Sequence, residues 1–133
     1  MSDQSRSIGS EGDEERAVLV REILDRIGDK WSVIVICRLG RYPYRFNELR
    51  RQAGGITQRM LSATLRGLER DGIVARTVYP TVPPRVEYAL TDTGQSLLQI
   101  VQSLARWTDD HVDDIRAARL DYDRGRREPA LQS

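Results

Sequence analysis

Cysteine and histidine are nearly absent: Cys37 and His111 are the only ones in 133 residues. A lone thiol excludes an intramolecular disulfide and any Cys-rich zinc site. Long apolar runs are missing too. The longest, Val33-Ile34-Val35-Ile36-Cys37, falls far below the ~20 residues that a membrane-crossing helix needs. The first fifteen residues are polar and acidic, without the apolar stretch of a secretory signal. Hydrophobic residues make up 39% and charged ones 31%, a balance that excludes wholesale disorder. These features lead us to expect one soluble, cytoplasmic domain of ordinary size.

Excess charge of either sign is also lacking, since the net charge is only +1. Its distribution is uneven. Residues 1–29 carry four Arg against eight acids, and residues 86–133 six Arg against nine. Between them, residues 30–85 carry eleven cations against Glu48, Glu69 and Asp71. A basic middle between acidic ends is expected where one face meets a polyanion. Lys30 is the sole lysine; every other cation is Arg, the residue suited to bidentate contact with phosphate or guanine. A coding bias toward Arg would produce the same count, so placement has to decide.

Residues 1–13 and 124–133 read as polar tails around a domain at 14–123. Glu14–Arg26 repeats apolar residues at Leu19, Ile23 and Leu24 and reads as a helix stopped by Gly28. Lys30–Leu39 is apolar nearly all round; its length and flanking glycines favour a central helix over a buried strand. Pro43 turns the chain, and Phe46, Leu49 and Ala53 mark a third helix, Arg45–Ala53, which Gly54-Gly55 breaks. Thr57 can cap a fourth, Gln58–Arg70, with Leu61, Leu65 and Leu68 on one side. Gln58, Arg59, Ser62, Ala63 and Arg66 occupy the other. Two short helices about a glycine turn, the second apolar inside and basic outside, form a helix-turn-helix pattern. Alone, such a pattern also fits a merely solvated face.

The next segment adds weight to the nucleic-acid reading. Ile73–Tyr79 and Arg85–Leu90 read as strands joined by a proline-rich loop, Pro80–Pro84. A hairpin directly after a candidate recognition helix is a wing, with Arg76 and Arg85 flanking its tip. Thr91 then caps a last helix to about Asp121, which carries Leu97, Ile100, Val101, Leu104 and Trp107 as a broad apolar band. One small domain cannot cover that band, so a partner helix is its natural cover. The fold class expected is mainly α with a small β-hairpin, a winged helix-turn-helix.

The chain resembles the HxlR-type winged-helix regulators, relatives of the MarR group. The resemblance rests on Ile27-Gly28-Asp29-Lys30-Trp31, Arg45-Phe46-Asn47-Glu48-Leu49-Arg50, Gly55-Ile56-Thr57-Gln58-Arg59-Met60-Leu61 and Leu65-Arg66-Gly67-Leu68-Glu69-Arg70-Asp71-Gly72. It extends through Val82-Pro83-Pro84-Arg85-Val86-Glu87-Tyr88 and Leu90-Thr91-Asp92-Thr93-Gly94, covering roughly residues 16–108. It implies a homodimeric, DNA-binding transcriptional regulator whose first and last helices make the dimer, placing Leu19, Ile23, Leu97, Val101, Leu104 and Trp107 at that interface. Many members carry a Cys-Pro thirteen residues before the Trp, used by some as a redox or electrophile sensor. Here that position is Val18, and the sensor is absent. Cys37 lies in the apolar central helix, where a free thiol acts as a small hydrophobe.

No Walker A, GxGxxG or GxSxG motif occurs, so no enzyme is expected and no catalytic residue is assigned. His111, with Asp110 and Asp114 on the same helical face, could geometrically form a weak metal site, but a solvated acidic face is the favoured reading. No metal or cofactor is expected. A protein-binding winged helix is the alternative; it calls for an apolar outer face on 58–70, whereas that face is polar and basic. The expected roles are base-edge reading by Gln58, Arg59, Ser62 and Arg66, phosphate contact by Thr57, and backbone or minor-groove contact by Arg45, Arg76 and Arg85. The operator should be an inverted repeat in double-stranded DNA. Repression is the expected sign, and a small-molecule effector is left open, since no residues announce its pocket.

Overall fold

The computed structural model describes residues 2–127, with side chains described for 11–126. Five helices and three strands follow in the order α1 (Ser2–Gly28), α2 (Lys30–Leu39), β1 (Tyr44–Arg45), α3 (Phe46–Ala53), α4 (Gln58–Arg70), β2 (Val74–Tyr79), β3 (Arg85–Leu90) and α5 (Asp92–Arg127). The chain divides after Leu98 into two compact units. The first holds everything through the opening turns of α5; the second is the remainder of α5.

Local signals account for the element ends. The Asp29 carboxylate caps α2, accepting from the Ser32 N–H at 3.2 Å and from its hydroxyl at 2.7 Å. That cap settles Lys30–Leu39 as a helix. Thr57 Oγ1 accepts from the Met60 N–H at 3.1 Å and starts α4. Gly54 and Gly55 adopt φ of 65° and 103°, conformations that residues with a side chain rarely take, so the α3–α4 turn depends on both. Thr91 Oγ1 accepts from the Gly94 N–H at 3.0 Å and donates to the Gly72 carbonyl. One hydroxyl thus starts α5 and ties it to the turn after α4.

At three places the structure adds to or departs from the elements expected from sequence. Helix α1 begins at Ser2 where a tail over 1–13 was expected: no proline interrupts the stretch, and extending a formed helix adds a hydrogen bond for each residue fixed. Helix α5 runs to Arg127, past the expected end near Asp121; the rest of the expected tail, 128–133, lies outside the described residues. The expected hairpin is present as β2 and β3, and β1 adds a third strand at its edge, in the order β1-β3-β2. Tyr44 and Arg45 pair antiparallel with Tyr88 and Glu87, and β2 pairs β3 from Val74↔Leu90 to Tyr79↔Arg85.

The core of the first unit gathers one face of each helix. Val35, Ile36 and Leu39 from α2 meet Leu49 of α3, Leu61, Leu65 and Leu68 of α4, and Ile73 and Val74 from the strand side, all buried. Each such side chain contributes about 1.5–3 kcal/mol through removal from water. Cys37 is half-buried and packs against this cluster with Ile34 and Trp31. Hydrogen bonding with Tyr42, then burial, raises the Tyr44 phenol above its ordinary pKa.

Candidate nucleic-acid interface

Helix α4 owes its orientation to its own sequence. Leu61, Leu65 and Leu68 are pinned in the core, which turns Gln58, Arg59 and Arg66 outward, all exposed. Ser62 is half-buried on the flank that faces the hairpin. Between α4 and the hairpin runs an open groove lined by Ser62, Leu65, Arg66, Glu69, Arg76 and Tyr88. Three of the residues singled out from sequence, Ser62, Arg66 and Arg76, therefore share one groove. Glu69 is the single acid in its lining.

A second open cleft lies between the start of α3 and the wing loop. Arg45, Phe46, Asn47, Glu48 and Arg51 line one side, and Thr81 through Val86 the other. Arg45 and Arg85 thus line opposite sides of one cleft. Arg45 precedes α3, and its backbone N–H donates to the Glu48 carboxylate at 3.0 Å, satisfying one of the helix's orphan donors. Arg85 is more constrained than a free wing-tip cation. Its guanidinium lies over the Tyr79 ring, 4.4 Å from the centroid, and its Nε is 3.4 Å from the Glu87 carboxylate. The register explains this, because Tyr79 and Arg85 are cross-strand partners at the mouth of the hairpin.

Thr57 is exposed, but its oxygen is already an acceptor for the cap. The hydroxyl hydrogen is what it retains for a phosphate. Asn47, Arg50 and Arg51 were missed by sequence reasoning. They line the hollow over the α3–α4 turn together with Gly54, Gly55, Ile56 and Thr57. Arg50 braces that turn by donating from Nε to the Ile56 carbonyl at 3.3 Å. The available signal was the Arg50-Arg51 pair, displaced from the Phe46–Leu49–Ala53 stripe and therefore facing outward.

The residues expected at a dimer interface fall into two classes. Leu19 is half exposed and Ile23 packs partly on the core. Leu97 is 8% exposed and already covered by the winged-helix core, so it does not belong to a free apolar face: the first turns of α5 close the domain before the helix continues. Within the second unit Leu104 and Trp107 are each half exposed and Val101 is partly covered. His111 stacks on Trp107 with ring centroids 4.4 Å apart, and its Nδ1 lies 2.8 Å from the Trp107 carbonyl. Among the described residues, no three His, Cys, Asp or Glu side chains gather in a way that could hold a metal ion. Nor is any of the described helices long and apolar enough to cross a membrane.

Residues 26–116 match the model of the HxlR-like helix-turn-helix family. The chain belongs to that family. It is 39% identical over 127 residues to YdeP of Bacillus subtilis (strain 168), named an uncharacterized HTH-type transcriptional regulator, covering 93% of this chain and 99% of that one. Among solved structures, the redox regulator HypR in its reduced form is 46% identical, with a TM-score of 0.65 over 74% of this chain and 97% of its own. A MarR-family transcriptional regulator from Enterococcus faecalis V583 is 35% identical, with a TM-score of 0.68 over 76% of this chain and 92% of its own. This HxlR-like protein is thus a winged-helix transcriptional regulator with α3–α4 as its helix-turn-helix and β2–β3 as its wing.

Proposed function

We propose that the protein is a homodimeric, sequence-specific DNA-binding repressor acting in the cytoplasm on an inverted-repeat operator. The observation that carries this is the outer face of α4, on which Gln58, Arg59 and Arg66 are exposed while the groove beside it brings Arg66 and Ser62 together with Arg76. In this reading α4 enters the major groove. Arg66 and Arg59 pair with guanine edges, Gln58 and Ser62 read neighbouring positions, and Thr57 touches a phosphate. Arg76 and Arg85 extend the contact along the wing to phosphate or minor groove, and Arg45 anchors the other side of the cleft.

Dimerisation is supported by apolar side chains left on the surface within each unit. Val18, Leu19, Val20 and Leu24 are 52–60% exposed on α1, and Ile100, Leu104 and Trp107 are 52–58% exposed on α5. Soluble monomers seldom leave that much large apolar surface uncovered. A two-fold dimer presents two α4 helices about one turn of DNA apart, hence the inverted repeat.

Selection of bound fragments from the source genome, followed by titration of a recovered duplex against a scrambled one, tests the proposal. It expects recovered sequences to share an inverted repeat and to bind at least about 10³-fold tighter than the scramble at matched salt. Equal affinity for both would overturn it.

A further inference from the structure

Helix α1 and the recognition helix α4 are joined by a contact that the DNA face does not need. Arg26, in the last turn of α1, sets its Nε 2.9 Å from Oδ2 of Asp71, 45 residues away. Both side chains are mostly withdrawn from solvent, at 28% and 22% exposure. Asp71 is the C-cap of α4; its own N–H bonds to the Gly67 carbonyl at 3.1 Å. The charge is well placed, since the last turn of a helix presents unpaired carbonyls and favours a cation beside it. Glu22 and Asp25 lie nearer in sequence on the same helix as Arg26, yet the guanidinium reaches across to α4.

Gly67 shows why it can. A Cβ at residue 67 would lie 2.6 to 2.9 Å from three atoms of the Arg26 guanidinium. The glycine sits inside α4, where its conformational freedom is a cost and its helical backbone needs no special φ. What the missing side chain provides is a seat for the arginine. Arg26, Gly67 and Asp71 therefore form a clamp: a planar cation laid into a notch in the last turn of the recognition helix and held there by the capping acid.

We infer that Arg26 is a positioning residue which fixes the angle between α1 and α4, and so sets the spacing of operator half-sites that the dimer accepts. This deepens the reading above and rests on it, since α1 must contribute to the dimer and α4 must enter DNA. If α1 is anchored to a second copy, whatever holds α4 to α1 holds the two recognition helices at one separation. Packing through Leu61, Leu65 and Leu68 seats α4 in the core, and the Arg26–Asp71 ion pair ties its C-terminal end to α1. Arginine suits the task because its fork is rigid; the flexible ammonium of lysine would hold the distance less tightly.

The test uses the full chain and a panel of duplexes: a selected operator, the same operator with its spacer changed by one or two base pairs in either direction, and a single half-site. Titrations by fluorescence anisotropy give the spacing profile, and sedimentation velocity gives self-association. Wild type should lose about tenfold in affinity for a one-base-pair change, within the usual range for energetic coupling between sites. Arg26→Ala and Gly67→Ala should each flatten that loss to under about threefold while half-site affinity and self-association stay within about twofold. Gly67→Ala guards against simple unfolding, because alanine favours the helix and leaves every charge in place. The double variant should match Arg26→Ala, since the alanine at 67 displaces nothing once the guanidinium is gone. Arg26→Lys should fall between wild type and Arg26→Ala. Variants that keep the wild-type spacing profile, or that lose half-site affinity in the same proportion, would overturn the clamp while leaving DNA binding intact. Wild type indifferent to operator and scramble alike would overturn both readings.

Discussion

Arg85 lies over Tyr79 across the mouth of the wing, the guanidinium carbon 4.4 Å from the ring centroid. The stack pre-orders a side chain that would otherwise sample many rotamers, and Glu87 at 3.4 Å limits it further. A cation ordered in advance loses less entropy when it meets a phosphate. Tyr79→Ala should therefore weaken binding to operator and random duplexes alike, by about 0.5–1 kcal/mol, although Tyr79 itself carries no charge. Titration of both duplexes at fixed salt checks this. A loss confined to the operator would mean that the tyrosine touches bases.

Binding should also fall steeply with salt. If about four cations per half-dimer reach phosphates, Arg45, Arg76 and Arg85 among them, a dimer neutralises about eight. Log K against log[salt] should then descend with a slope of about −7. Titrations between low and physiological salt measure it. A slope near zero would mean that the basic middle of the chain faces something other than a nucleic acid.

Leu104 and Trp107, each 52% exposed on α5, give the cleanest handle on dimerisation. Truncation before α5 is a poorer one, because Leu97 and Leu98 are buried in the winged-helix core, so their loss would unfold the domain as well. Leu104→Glu should shift the chain to monomer at micromolar concentration, and Trp107→Ala should cost at least about 2 kcal/mol of association. Neither should change the melting of a dilute monomer by much. Sedimentation of wild type as a monomer at those concentrations would contradict the account.

The start of α5 yields a stability prediction. Gly94 is buried where a Cβ would collide with the Ile73 carbonyl, a backbone atom that cannot swing aside. Gly94→Ala should destabilise the fold by about 1–3 kcal/mol, the usual range for forcing extra atoms into a packed site. Denaturant unfolding measures it. An unchanged midpoint would mean that α5 is free to shift against the strand entry.

Much of this arrangement was legible in the sequence because its signals are local. Thr57 caps the helix it precedes, Gly54-Gly55 breaks the chain where two positive φ values are needed, and the leucine spacing of α4 fixes its inner face. What escaped depends on residues distant in sequence. β1 is two residues long, too short for any periodicity, and exists only because Tyr88 and Glu87 offer it an edge. Leu97 looks like its exposed neighbours on α5 because the apolar band continues past the point where the core ends. The pairing of Arg26 with Asp71 leaves no trace in spacing, since it joins helices 45 residues apart. Arg85 was legible as a wing cation, but its fixation by Tyr79 required the strand register.

The central claim is that α4 reads the bases while the wing holds the backbone, and the ratio of specific to nonspecific affinity measures it most directly. Determined at matched salt for wild type, Arg66→Ala and Arg85→Ala, the ratio should fall for Arg66→Ala by the equivalent of about 1–3 kcal/mol, with preference relaxed at one base position per half-site. Arg85→Ala should weaken both duplexes and leave the ratio nearly unchanged. A ratio that survives Arg66→Ala and collapses with Arg85→Ala would contradict the account and make the wing the reader.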